Sequence, residues 1–153
     1  MKHTSLETAG MVVNGLSIAL FFYLASTFDV ADVPYIFGYL AWLLFAAGVI
    51  LIFFSAVTLM ANREACLIDR GVYGVVRHPM YLGAILLFLS WIFFLPHWIV
   101  LVVSAVNLVI VYWFILQGER INISKFGDSY QRYMEKVPRI NLIEGLLRIL
   151  RTK

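Results

Sequence analysis

The residues from Gly71 to Gly83 read Gly-Val-Tyr-Gly-Val-Val-Arg-His-Pro-Met-Tyr-Leu-Gly. This stretch places three polar side chains, Arg77, His78 and Tyr81, within five residues, between two segments that are almost entirely apolar. Pro79 predicts where the next helix begins, because proline fits the first turn of a helix but interrupts its interior. Proline also disfavours the helical conformation in the residue before it, so we expect His78 near the N-cap.

The start of this predicted helix favours a polar pocket. A helix N-terminus presents backbone N–H groups and a partial positive charge, and both suit a carboxylate or a phosphate. The glycines of the stretch, Gly71, Gly74 and Gly83, allow tight turns or a close approach of two backbones. We therefore expect a polar pocket where an apolar helix begins.

The composition predicts a membrane protein. The chain has 153 residues, of which 62% are hydrophobic and only 14% are charged, and this is too apolar for a soluble domain of this size. The single cysteine, Cys66, excludes an internal disulfide and any metal cluster held by several cysteines. We predict no metal site.

The apolar segments predict an all-α integral membrane protein with about four transmembrane helices. These segments cover residues 11–28, 35–61, 79–95 and 98–116. The chain is predicted to form a single membrane domain over residues 1–153, with a polar C-terminal region at 117–153. Within that region, residues 140–153 carry leucine and isoleucine at helical spacing and arginine near the end. This pattern predicts an amphipathic end helix that lies in the headgroup plane.

The distribution of basic residues predicts the topology. With four spans, the loops at 29–34 and 96–97 lie on one side of the membrane, and they contain none of the 12 lysines and arginines. Because basic residues concentrate on the cytoplasmic side, we expect both termini in the cytoplasm. The pocket at Arg77 and the region of Glu119 then also face the cytoplasm.

Glu119 follows the fourth apolar segment and is the second candidate group for chemistry. The third and fourth segments are joined by a short turn at Pro96 and His97, so they form a helical hairpin. The hairpin brings Glu119 back towards the start of the third helix and its Arg-His-Pro turn. An ordinary membrane interface, with arginine at lipid phosphate and tyrosine in the aromatic belt, is the alternative for this pattern.

Two blocks of the sequence resemble the isoprenylcysteine carboxyl methyltransferase family, and phospholipid N-methyltransferases share much of the first. The first block comprises Gly71-Val72-Tyr73 and Val76-Arg77-His78-Pro79-Met80-Tyr81-Leu82-Gly83. The second comprises Glu119, Phe126-Gly127, Tyr130, Tyr133 and Val137-Pro138-Arg139. The likeness covers residues 67–139. The chain departs from the family at Gly118, where a first of two paired glutamates is usual, and it has fewer apparent spans than many relatives.

The resemblance implies methyl transfer from S-adenosyl-L-methionine to a lipid-borne or small hydrophobic acceptor. It implies that His78, Tyr81, Gly83 and Glu119 bind the cofactor. It also implies that Arg77 and Glu119 are catalytic, with Arg77 orienting an anionic acceptor. Such a transfer needs in-line alignment and exclusion of water more than it needs a covalent intermediate.

The predicted partners are the membrane and the hydrophobic acceptor, and no nucleic acid. The acceptor group stays open between a carboxylate, an amine, a thiol and a lipid headgroup, and the oligomeric state is also open. Two other functions are compatible with the residues. A bound nicotinamide cofactor would favour an NADPH-dependent membrane reductase of related fold. Failure to bind any adenosyl compound would favour a non-catalytic membrane adaptor, which the missing glutamate at Gly118 supports.

Overall fold

A computed structural model describes residues 5–27, 34–62 and 67–151 of the chain. Within these ranges the secondary structure consists of helices and turns, without a strand. The helices in chain order are α1 (Ser5–Thr27), α2 (Tyr35–Ala61), α3 (Pro79–Phe94), α4 (Trp98–Phe126), α5 (Asp128–Lys136) and α6 (Leu142–Arg151). A 3-10 turn over Gly71–Gly74 lies between α2 and α3. The prediction of an all-α protein is confirmed.

Three of the helices are suited to crossing a membrane. The most apolar windows of α1, α2 and α4 have mean hydropathies of 1.7, 2.6 and 2.7, and few of their residues are buried within the protein. The chain is therefore an integral membrane protein, as predicted. Helix α3 is apolar but has only 16 residues, which extend about 24 Å at 1.5 Å per residue. The count of four spans stays a prediction.

The helix bounds agree with the predicted segments at some ends and differ at others. Helix α3 begins at Pro79, as predicted, and the carbonyl oxygen of His78 accepts the Leu82 N–H at 2.9 Å, so His78 is the N-cap. Helix α1 begins at Ser5, six residues before the predicted start of the span, because the helix continues through the polar N-terminal residues. The predicted loop at 29–34 lies, except for Pro34, outside the described residues.

The chain divides into two compact units, residues 1–47 with 85–114 and residues 48–84 with 115–153. In the first unit, a polar contact joins α1 to α4, since the Asn107 amide donates to the hydroxyl of Ser17 at 2.8 Å. Asn107 is therefore an interhelical hydrogen-bonding residue. Phe21 packs nearby on α1, with its ring centroid 5.2 Å from that of Trp91. The single domain over residues 1–153 stays a prediction.

In the second unit, α3 packs directly on α2 at Gly83. A Cβ at this position would lie 2.7 Å from the carbonyl oxygen of Gly48, so only glycine permits this approach of the two helices. Helix α5 is anchored to the 3-10 turn, because the Tyr133 hydroxyl donates to the carbonyl oxygen of Tyr73 at 2.6 Å. These contacts fix the chain on both sides of the Arg-His-Pro turn.

Candidate active site

The backbone at Arg77 and His78 is held by the segment that follows α5. The Arg77 N–H donates to the carbonyl oxygen of Pro138 at 2.9 Å, and the His78 N–H donates to that of Arg139 at 3.2 Å. Val137 is extended, with φ −110° and ψ 126°, because the proline after it disfavours helix there. The two blocks of the sequence that carry the resemblance therefore pair through their backbones.

The side chains of these segments meet at the carboxylate of Glu119, which is only 5% exposed. Its Oε1 lies 2.8 Å from Arg77 Nη1 and 3.3 Å from His78 Nε2. Arg139 donates its Nε to the same oxygen at 3.0 Å and its Nη2 to Oε2 at 2.7 Å, which makes a bidentate pair. We call Arg77, His78, Glu119 and Arg139 the Glu119 cluster. The predicted convergence of Glu119 with the start of α3 is confirmed.

The Glu119 cluster combines a neutral imidazole with charged side chains. Burial lowers the pKa of His78, while the Glu119 carboxylate acts in the opposite direction and the two arginines act with burial. His78 is therefore neutral at neutral pH, and its Nε2–H faces the carboxylate. The side chains of Arg77 and Glu119 are 9% and 6% exposed, so they form a buried ion pair. Such a pair adds little to stability once the cost of desolvating both charges is counted.

Tyr81 and Gly118 both lie near the His78 ring. The ring centroids of His78 and Tyr81 are 5.9 Å apart, so the two predicted cofactor residues share one surface at the start of α3. A Cβ at Gly118 would lie 4.0 Å from His78 Cε1, an ordinary van der Waals distance. The departure from paired glutamates therefore leaves a niche beside the imidazole, and a side chain could enter it without a clash at its Cβ.

The predicted site residues do not all lie in the cluster. Arg77, His78 and Glu119 contact one another, and Tyr81 lies beside His78. Gly83 is one turn further along α3 and packs against α2. This packing explains why residue 83 is a glycine, and its role as a cofactor contact stays a prediction.

Two features of the site were not predicted from the sequence. Arg139 is the bidentate partner of Glu119, although its Val-Pro-Arg motif gave it no role of its own. The second feature is a cavity of about 300 Å³ beside Arg77. Its polar lining residues include Asn62, Tyr73, Arg77, Asn122, Lys125, Tyr130 and Tyr133. Asn122 could have been predicted from the sequence, because it follows Glu119 by three residues and so lies on the same face of α4.

Arg77 borders both the cluster and this cavity. Its side chain is 9% exposed, and among the residues that the structure describes none accepts a hydrogen bond from its Nε. A buried guanidinium N–H without an acceptor is unfavourable. The arrangement therefore suits an acceptor group supplied by a ligand.

Comparison with known proteins places the chain in a family. Residues 35–126, more than half of the chain, match the family model for phospholipid methyltransferases. The chain belongs to the phospholipid methyltransferase family. It is also 34% identical over 82 residues to protein-S-isoprenylcysteine O-methyltransferase of Schizosaccharomyces pombe. The aligned region covers 50% of this family member but only 33% of the length of that relative. No solved structure matches the chain.

Proposed function

We propose that the chain transfers a methyl group from S-adenosylmethionine to a lipid-borne or small hydrophobic acceptor at the cytoplasmic membrane face. The observation that supports this most strongly is the buried Glu119 cluster at the N-terminus of α3, in a member of a methyltransferase family. An ion pair as buried as that of Arg77 and Glu119 is costly to desolvate for stability alone. The Arg77 Nε also lacks an acceptor among the described residues, and a ligand would supply one.

The start of α3 fits the amino-acid end of the cofactor. Its first turn offers backbone N–H groups and a partial positive charge for a carboxylate. The rings of His78 and Tyr81 stand next to this turn and would hold the same end of the molecule. Met80 and Leu82 supply apolar surface for the adenine. When bound, S-adenosylmethionine supplies an electrophilic methyl group on its sulfonium.

The contacts of Glu119 refine the role we propose for it. A carboxylate offers about two acceptor positions on each oxygen. Oε1 faces Arg77, His78 and the Nε of Arg139, whereas Oε2 accepts from Arg139 Nη2. Glu119 therefore holds Arg77 and His78 in place through Oε1, and Oε2 keeps a position for a donor such as the ribose or ammonium of the cofactor.

The cavity beside Arg77 suits the anionic part of an acceptor. Arg77 and Lys125 both line it, and none of its described lining residues is acidic. A carboxylate or phosphate there would accept hydrogen bonds from the buried Arg77 side chain. Asn62 and Asn122 provide further donors at the same cavity. In this proposal Arg77 orients the acceptor, and His78 and Tyr81 hold the cofactor.

The experiment that tests the proposal is calorimetric titration of the purified full chain with S-adenosylhomocysteine, and separately with NADPH. We expect binding of the adenosyl compound and none of NADPH. Tyr81→Phe should weaken the adenosyl affinity while the protein keeps its thermal stability. Binding of NADPH alone would establish the reductase alternative, and binding of neither compound would favour the adaptor.

A further inference from the structure

Helix α6 contacts the turn that leads into the Glu119 cluster. Gly145 is the buried residue of α6, and a Cβ at this position would overlap the carbonyl oxygen of Val75. One turn later, the Arg148 guanidinium donates to the carbonyl oxygen of Gly74. The backbone of α6 therefore lies directly against residues 74–75, and glycine is what permits this approach.

This contact makes α6 a support for the Arg-His-Pro turn. Val75 is two residues before Arg77, whose N–H donates to Pro138, and the N–H of His78 donates to Arg139. The segment from Pro138 to Arg139 thus supports the turn from one direction and α6 supports the residues just before it. A displacement of α6 would free the Gly74 carbonyl group, remove the packing on Val75 and loosen the backbone at Arg77 and His78.

A different face of α6 is apolar and about half exposed or more. Ile143, Leu146, Leu147 and Leu150 follow the i, i+3, i+4, i+7 spacing of one helix face, and they are 72%, 48%, 47% and 71% exposed. Four large apolar side chains in a row on a ten-residue helix form a surface that favours an apolar partner. The face that packs on Val75 is not this one.

The composition of the helix favours a phospholipid bilayer as that partner. Arg148 is committed to the Gly74 carbonyl, but Arg151 in the last turn of α6 is exposed, and a guanidinium pairs well with lipid phosphate. A helix with an apolar face and a basic edge lies at the boundary of headgroups and acyl chains. The bilayer is also within reach of the same chain, because α1, α2 and α4 are membrane-spanning in character.

We propose that α6 lies in the bilayer interface, and that this contact positions the Arg-His-Pro turn for the Glu119 cluster. The lipid surface then acts as a structural part of the site. The bilayer holds the outer face of α6, and the Gly145 face transmits that position to Val75. This role for α6 is independent of which cofactor or acceptor the cluster binds.

The bilayer contact can be tested with nitroxide labels in the full chain, reconstituted in phosphatidylcholine vesicles. Labels are placed at Leu150→Cys and, as the matched control on the polar side of α6, at Glu144→Cys, both in a Cys66→Ser background. We expect the label at position 150 to be accessible to oxygen and protected from a water-soluble nickel reagent, and the label at 144 to show the reverse. Equal access of the nickel reagent to both labels would overturn the bilayer contact.

The positioning role is tested by hydrogen exchange at the Arg77 and His78 amides in the same vesicles. In Ile143→Ser/Leu150→Ser, exchange at these amides should accelerate by about tenfold or more, because local opening becomes easier. The control Glu144→Gln should exchange at the wild-type rate. The second variant, Gly145→Ala, places a methyl group between α6 and Val75. It should accelerate hydrogen exchange at the same amides while the α2 amides remain protected. Wild-type exchange in both variants would overturn the positioning role.

Discussion

Each of the two compact units buries a polar side chain of α4. Comparing these two side chains distinguishes a polar contact that joins helices from one that suits a ligand. In the first unit, Asn107 is fully buried and donates to Ser17 and to the Val103 carbonyl at 2.7 Å. All of these groups are neutral. In the second unit, Glu119 is buried with two guanidinium groups and one imidazole. The Asn107 Oδ1 has no hydrogen-bond partner among the described residues, so the first unit carries the cost of one unpaired neutral acceptor, whereas the ionic cluster carries the larger desolvation penalty of charged groups.

The largest effect is expected from Glu119→Gln. This change leaves Arg77 buried without its counter-charge, and breaking a buried pair costs about 3–5 kcal/mol of unfolding free energy. The measurement is chemical denaturation of the protein in detergent. The matched double variant Arg77→Met/Glu119→Gln should recover part of the loss, because it removes the unpaired charge as well. If the loss of stability in the double variant equals the sum of the losses in Glu119→Gln and in Arg77→Met, the two side chains do not interact.

The next effect is expected from His78→Ala, which removes a buried imidazole beside the proposed cofactor position. The affinity for S-adenosylhomocysteine should fall by about 1–3 kcal/mol, the cost of one buried hydrogen bond to the ligand. The control is His97→Ala in the first unit. The His97 ring accepts the Ile99 N–H at 3.2 Å, so its removal should affect the stability of α4 and leave the affinity unchanged. Equal losses of affinity in both variants would contradict the assignment of His78.

A smaller effect is expected from Asn107→Leu, which keeps the approximate volume and removes the hydrogen bond to Ser17. Interhelical hydrogen bonds of this kind contribute about 0.6 kcal/mol on average, and at most about 1.7 kcal/mol. Thermal unfolding should show this modest loss, while titration with S-adenosylhomocysteine should show wild-type affinity. A loss of affinity as large as that of His78→Ala would mean that the neutral pair is also functional.

The smallest effect is expected in the pH dependence of stability. Burial lowers the pKa of folded His78 below its value in the unfolded chain, which is about 6.5. The unfolded state therefore binds more protons, so the contribution of neutral His78 is complete above pH 6.5 and is lost as the pH falls through the folded pKa. The unfolding temperature of the wild type and of His78→Gln, measured from pH 8 to pH 5, should converge at the acidic end. A wild type that gains stability relative to His78→Gln below pH 6.5 would show that folding raises the pKa of His78 instead of lowering it.

Local rules in the sequence predicted much of the fold and the centre of the site. Pro79 predicted the start of α3 because proline acts on its own backbone and on that of His78. The hairpin at Pro96 brought Glu119 to the start of α3 because chain connectivity alone requires it.

The remaining features depend on contacts between distant segments. Arg139 pairs with Glu119 only because the segment after α5 lies alongside Arg77 and His78. The packing of Gly83 on Gly48 and of Gly145 on Val75 also depends on how helices approach each other, and spacing along one helix does not determine this. Arg77 beside the cavity with Lys125 joins segments that are almost fifty positions apart.

Methyl transfer by the purified chain tests the proposed function most directly. The chain, in vesicles that contain phospholipids or a prenylated cysteine as acceptor, is incubated with S-adenosylmethionine labelled in its methyl group. We expect label in the solvent-extracted acceptor with the wild type, and much less label with Tyr81→Phe. A wild-type protein that binds S-adenosylhomocysteine but labels no carboxylate, amine, thiol or lipid acceptor would contradict methyl transfer and leave the Glu119 cluster as a binding site only.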